Sequence, residues 1–113
     1  MLYEIRDYHY RPDLIEAYKK WALGATVVLR RNLDVVGFWV DEGEHKPEIT
    51  GSTPIDSPIG SANVTWIIRW DSKAARDAAM KTVFSAPDWQ AVWARHPDPN
   101  GYRQISARFM TAL

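Results

Sequence analysis

No cysteine occurs anywhere in the 113 residues, which removes disulfides, thiolate nucleophiles and zinc–thiolate sites together. A chain of this size can do without such staples, because at 13.0 kDa roughly two-thirds of the unfolded surface is buried on folding. An excess of one charge is missing as well: 14 basic and 14 acidic residues cancel, so there is no electrostatic footprint for a nucleic acid or an anionic membrane. No apolar stretch approaches the ~18 residues of a membrane span, and Met1 leads straight into strand-like sequence without a signal-peptide pattern. A reducing cytoplasm is the expected location. Glycine is sparse, and all six stand isolated, so there is no P-loop, no G-x-G-x-x-G and no serine in a G-x-S-x-G elbow. Nucleotide enzymes and elbow-type hydrolases recede.

What the chain does hold is aromatic: six Trp, five Tyr and three Phe. So many rings imply a bulky core, an oligomer interface or an aromatic-lined pocket. Asn63 to Arg76 organises the rest. Val64, Thr65, Trp66, Ile67 and Ile68 have high strand propensity, and Asp71 or Ser72 then supplies a cap for the Ala-rich run that follows. A buried strand delivered into a helix is half of a β-α-β unit.

The remaining elements follow from periodicity. Leu2 to Tyr10 alternates, placing Leu2, Glu4, Arg6, Tyr8 and Tyr10 on one face and Tyr3, Ile5, Asp7 and His9 on the other. After Pro12, Leu14, Tyr18, Trp21, Ala22, Ala25, Val28 and Leu29 form one helical stripe that ends near Arg31-Asn32. Val35 to Val40 is a short strand, whose Gly37 marks a bulge or a close approach to the backbone. Asp41 to Ala62, rich in Gly and Pro, reads as a long loop. Ser72 to Phe84 is a helix with an inward stripe of Ala75, Ala78, Ala79 and Val83. Ser85 and Asp88 fit a capping box for a third, short helix carrying Trp89, Val92 and Trp93, and Tyr102 to Met110 is the last strand.

This order predicts an α+β ferredoxin-like βαββαβ fold in a single domain spanning 1–113, with an antiparallel four-stranded sheet and its helices on one face. Strand three is apolar on both faces, so the helix-free face is expected to be covered by a second copy in a homodimer of stacked sheets.

Several segments resemble the NIPSNAP family. Tyr3-Glu4-Ile5-Arg6-Asp7-Tyr8 is similar to the family's opening motif and Val36-Gly37-Phe38-Trp39 to its second strand. Trp70-Asp71-Ser72 with Arg76 resembles its strand exit and helical arginine, and Pro87-Asp88-Trp89-Gln90 the start of its last helix. The chain departs from the pattern at Trp66 and Ile68 of strand three. The resemblance implies a dimeric α/β barrel, a fold that hosts unrelated chemistries, and it carries over no catalytic role.

Glu4, Arg6 and Tyr8 share a face of a strand that this topology makes central. They form either a paired structural network or a catalytic set, with Arg6 holding a substrate anion or enolate, Tyr8 donating a hydrogen bond or proton, and Glu4 positioning Arg6. Arg108 and Arg69 are alternative anion holders. Tyr8, Tyr18, Trp21, Trp39, Trp66 and Trp70 are the expected ligand-binding lining of a cavity between sheet and helices, suited to a small hydrophobic or aromatic molecule. His9 is a candidate base or a solvated edge residue, and His96 a helix-terminal one. His45 among Asp41, Glu42, Glu44 and Glu48 has no repeating ligand spacing, so no metal site is expected. No His falls in helix two to ligate a haem, and no cofactor is expected. Two function classes remain: a small barrel enzyme acting on a hydrophobic metabolite without a tightly bound cofactor, or a non-catalytic ligand-binding or adaptor module. The loop 41–62 would serve as a lid in the first and as a swapped arm in the second.

Overall fold

The structure is a computed structural model describing residues 1–113. Strand β1 (Leu2–Tyr10) is followed by a 3-10 turn (Pro12–Leu14), helix α1 (Ile15–Asn32), strands β2 (Val35–Val40) and β3 (Val64–Trp70), helices α2 (Lys73–Val83) and α3 (Pro87–Trp93), and strand β4 (Tyr102–Thr111). The strands pair antiparallel in the order β2-β3-β1-β4, the ferredoxin-like arrangement. With helices on one face only, the molecule is a slab of 42 × 36 × 20 Å.

Register decides which side chains meet the helices. Glu4 lies opposite Ile68 and Phe109, and Arg6 opposite Trp66 and Ala107. Tyr8, Tyr10, Val64, Trp66, Ile68 and Trp70 are therefore buried beneath the helices. Their alternates Tyr3, Ile5, Asp7 and His9, with Thr65, Ile67 and Arg69, lie on the helix-free face. From α1 the predicted stripe supplies Tyr18, Ala22, Ala25, Val28 and Leu29 to the core. The last turn of α1 carries Arg30 and Arg31, whose charge complements the carboxyl end of the helix dipole.

Helix α2 begins as predicted, with Ser72 Oγ accepting from the Ala75 N–H at 3.1 Å. Its packing differs from expectation. Ala75 and Ala78 are exposed, no residue of α2 is fully buried, and its inward face is Arg76, Ala79, Met80 and Val83. Ala79 and Val83 of the predicted stripe thus pack toward the core, and Arg76 joins them there by reaching Glu4. The capping box at Ser85 does not form: the Ser85 hydroxyl donates backward to the Lys81 carbonyl at 2.7 Å, and α3 starts at Ala86-Pro87 without a side-chain cap. Proline at the first position makes a cap less necessary, since one unpaired donor is already gone.

Gly37 sits at a bulge between β2 and β3, and a Cβ there would lie 2.3 Å from the indole of Trp39. The close approach predicted at this glycine is the Trp39 ring folded over its own strand. Gly101 is a second tight point, where a Cβ would meet the Tyr10 ring at 2.7 Å.

The segment from Asp41 to Ala62 contains no helix or strand and is almost wholly exposed, with Ile55 at 84%. Its return is pinned by Asn63, whose amide accepts from the Tyr10 N–H at 2.9 Å and donates to the Tyr10 carbonyl at 2.8 Å. The side chain continues the strand ladder past its end. No helix is long and apolar enough to cross a membrane.

Candidate functional site

A cavity of about 500 Å³ lies between the sheet and helices α1 and α3, a volume in the range of small-molecule sites. The sheet contributes Arg6, Tyr8, Phe38, Trp66, Tyr102 and Ile105, α1 contributes Tyr18, Trp21, Ala25 and Leu29, and Phe84, Trp89, Gln90, Trp93 and Pro99 close the far side. Alternation along β1 puts Arg6 and Tyr8 on this wall. The i,i+4 spacing of Trp89 and Trp93 puts both indoles on the inward side of α3, with Trp93 stacked on Trp89 at 6.0 Å and Trp21 edge-on to both. The Trp21 Nε1–H donates to the Val92 carbonyl at 2.9 Å, which fixes α3 against α1.

Beneath the cavity lies a buried ionic network. The side chain of Glu4 is 0% exposed. Its Oε1 accepts from Trp70 Nε1 and Arg76 Nε, both at 3.0 Å, and its Oε2 accepts from Arg6 Nη1 and Arg76 Nη2, both at 2.8 Å. Burial alone would push this carboxyl up; the hydrogen bonds from Arg76 and Arg6, the Arg6 charge and the Trp70 indole outweigh it and hold the group below its ordinary value. Arg6 passes the network on, its Nε donating to the Tyr8 hydroxyl at 2.9 Å, while Trp66 Nε1 donates to the same oxygen at 2.8 Å.

A second polar chain runs through the aromatic cluster. The Asp98 backbone N–H donates to His96 Nδ1 at 3.0 Å, which assigns the ring proton to Nε2. Nε2 then donates to the Tyr102 hydroxyl at 2.7 Å, and Tyr102 reaches the Tyr18 hydroxyl at 3.5 Å. Burial lowers His96 to about 4, so its imidazole is neutral near pH 7. Burial likewise raises Tyr18 and Tyr102, keeping both as neutral phenols.

Of the residues predicted to line a pocket, Tyr8, Tyr18, Trp21 and Trp66 do so, together with Arg6. Trp39 does not: the edge strand turns it to the helix-free face, where it is 52% exposed. Trp70 is buried away from the cavity, because its indole is bonded to Glu4. Glu4 itself lies behind the wall and reaches the cavity only through Arg6. Arg108 is on the opposite face of β4, donating to Asp7 at 3.1 Å with 55% of its side chain exposed, and Arg69 is paired with Asp34 at the surface. Sequence reasoning missed Arg76, Tyr102, Phe38, Phe84, Trp89 and Trp93 as parts of the site. The Trp89–Trp93 spacing was the available signal for the last two. His9 sits on the helix-free face with Nδ1 buried and unpaired, and His45 bonds only Glu42 in an exposed group of Glu42, Glu44 and His45. No residue of the 41–62 segment lines the cavity; its first residues lie instead beside Pro12 and Ile15.

The polar groups on this otherwise apolar wall are the Arg6 guanidinium, the Tyr8, Tyr18 and Tyr102 hydroxyls and the Gln90 amide.

No family model and no curated protein matches the chain. Solved structures do. An uncharacterized NIPSNAP domain protein from Burkholderia xenovorans aligns over all of this chain and 95% of its own, at 17% identity and a TM-score of 0.69. A NIPSNAP family protein with unknown function from Agrobacterium tumefaciens covers 97% of this chain and 86% of its own, at 20% identity and a TM-score of 0.69. A putative antibiotic biosynthesis monooxygenase from Nitrosomonas europaea spans 100% and 99% at 12% identity and a TM-score of 0.56. The resemblance read from the sequence motifs thus holds at the level of architecture: the chain has the fold of the solved NIPSNAP-domain proteins.

Proposed function

We propose that this is a NIPSNAP-like protein that binds, and in an enzymatic role transforms, a small hydrophobic or aromatic molecule in the cavity between sheet and helices. The observation that carries this is the cavity itself. A chain so rich in tryptophan could have filled the space between its layers, and instead leaves about 500 Å³ open beside Arg6 and Tyr8. Four of the six tryptophans, Trp21, Trp66, Trp89 and Trp93, line it, so an aromatic ligand should quench intrinsic emission. Titration with 2-naphthylmethanol is expected to give saturable quenching, and Ala25→Leu, which fills the cavity from α1, to weaken it by about tenfold or more. Unsaturable quenching, or an affinity indifferent to Ala25→Leu, would remove this reading.

The working unit in this proposal is a homodimer through stacked sheets, with residues 1–113 acting as one domain. Its support is the helix-free face of the sheet, where Trp39 and Met110 are 52% and 45% exposed and no helix covers them. Ile5 and Ile67, directly opposed on β1 and β3, lie at the centre of the helix-free face. Sedimentation of the wild type is expected at twice the chain mass, and Ile67→Glu at the mass of one chain. An Ile67→Glu protein that stays dimeric would place the interface elsewhere.

A further inference from the structure

The cavity's ligand can be specified further by counting donors and charges on its polar wall, an inference that rests on the cavity being a binding site. One carboxylate, Glu4, serves two guanidiniums. Arg76 takes most of it, contacting both oxygens through Nε and Nη2. Arg6 touches it through Nη1 alone, gives its Nε–H to Tyr8, and leaves Nη2 without an acceptor in the protein. Arg6 is on the cavity wall with 17% of its side chain exposed. The other nearby carboxylate, Asp77, is 48% exposed and bound to Lys73 and Arg76 rather than to Arg6. Glu4 with its two arginines therefore leaves one positive charge, and the part of it that is uncompensated faces the cavity. Tyr8 adds a constraint of its own. Its oxygen already accepts from Arg6 Nε and Trp66 Nε1, which occupies both lone pairs, so the hydroxyl has only a proton left to offer.

We propose that the cavity takes small aromatic or apolar monoanions head first, carboxylates or enolates whose oxygens accept from Arg6 Nη2 and the Tyr8 hydroxyl, and that Arg76 is a positioning residue that keeps Arg6 available by occupying Glu4. An acceptor-only anionic head satisfies both donors and the charge together. An alcohol head meets the donors and leaves the charge uncompensated, and an ammonium head meets a guanidinium. The aromatic walls then hold the apolar body of the ligand.

Three probes with one ring system separate the possibilities: 2-naphthoate, 2-naphthylmethanol and 2-naphthylmethylammonium, each titrated against tryptophan emission. In the wild type 2-naphthoate should bind about tenfold more tightly than the alcohol, a ratio set by one charge-assisted contact, and the ammonium more weakly than either. Arg6→Met and Arg76→Met should each bring the naphthoate-to-alcohol ratio below roughly threefold, and Arg76→Lys should recover part of it. A purely structural role for Arg76 would weaken both probes together and leave the ratio unchanged, which overturns its positioning role. Equal wild-type affinities for naphthoate and alcohol overturn the anion inference while the cavity reading stands; no saturable binding of any probe overturns both. Should an arginine variant fail to fold, the wild-type series still decides, and Tyr8→Phe should cost the naphthoate more than the alcohol.

Discussion

Replacing Glu4 by glutamine is expected to lower the unfolding free energy by about 3–5 kcal/mol, seen as a fall in the urea midpoint at an unchanged m-value. The magnitude comes from what the substitution leaves behind. Two guanidiniums that met one buried carboxylate would share a neutral amide, and the amide's own N–H groups would face donors. Arg6 and Arg76 keep 17% and 20% exposure and can draw in some water, so the lower end of the range is favoured. A triple replacement, Glu4→Leu with Arg6→Met and Arg76→Met, should recover most of the loss, because an apolar cluster of similar volume no longer holds a charge out of water. The sign of the pH dependence also follows. The Glu4 carboxyl is held below its ordinary 4.5 in the folded protein, so the unfolded chain binds its proton first. The stabilisation is complete above pH 4.5 and is lost as pH falls through the lower folded value. The gap between wild type and Glu4→Gln should narrow below pH 4.5; a gap constant down to pH 3 would mean that the network does not depend on the ionised carboxylate.

The second large effect belongs to His96 and lies in a higher pH window. Its folded value is about 4 against an ordinary 6.5, so in this interval the unfolded chain is protonated and the folded one is not. Stability is complete above pH 6.5 and falls by about 1.4 kcal/mol per pH unit on acidification, reaching about 3 kcal/mol near pH 4. Two features resist the proton: rings of Tyr10, Tyr18, Trp21, Trp93 and Tyr102 surround the imidazole, and the Asp98 N–H already points at Nδ1. Asp98, the facing carboxylate, works weakly in the other direction and is itself engaged by Arg11 at 2.9 Å. His96→Gln, which can donate to Tyr102 and accept from Asp98 without titrating, should flatten the curve between pH 6.5 and 4. Urea unfolding at half-unit steps measures both slopes, and a flat wild-type curve would sink the assignment.

The fold was legible wherever one periodicity dominated. Leu2–Tyr10 and Val35–Val40 matched their predicted limits, and five of the seven residues of the predicted α1 stripe are buried, with Leu14 and Trp21 half-buried, because alternation and 3.6-residue spacing are local properties. The site was less legible, for reasons specific to each residue. VVGFWV is apolar on both faces, so nothing in it says which ring meets the helices. The Gly37 bulge and the pairing of Phe38 with Trp66 decide that, and send Trp39 outward. Arg76 joins Glu4 across 72 positions, a separation at which no spacing rule operates. On α2 the wheel places Ala75, Ala78, Ala79 and Val83 inward; Ala79 and Val83 do pack toward the core, whereas Ala75 and Ala78 face solvent and Arg76 reaches the carboxylate.

The clamp at Asn63 separates the segment 41–62 from the rest of the molecule. With the Asp41 N–H bonded to the Asn63 carbonyl at 2.8 Å, and the Asn63 N–H to the Tyr8 carbonyl at 3.0 Å, strands β2 and β3 are joined at a fixed gate, and whatever lies between is a detour. Changing its length then alters mainly the entropy of closing a loop, about 0.6 kcal/mol for each doubling. The sheet, the Glu4 network and the cavity would accept a much shorter connection, and the segment can be cut back, lengthened or exchanged as a cassette while the sheet beneath it keeps its register.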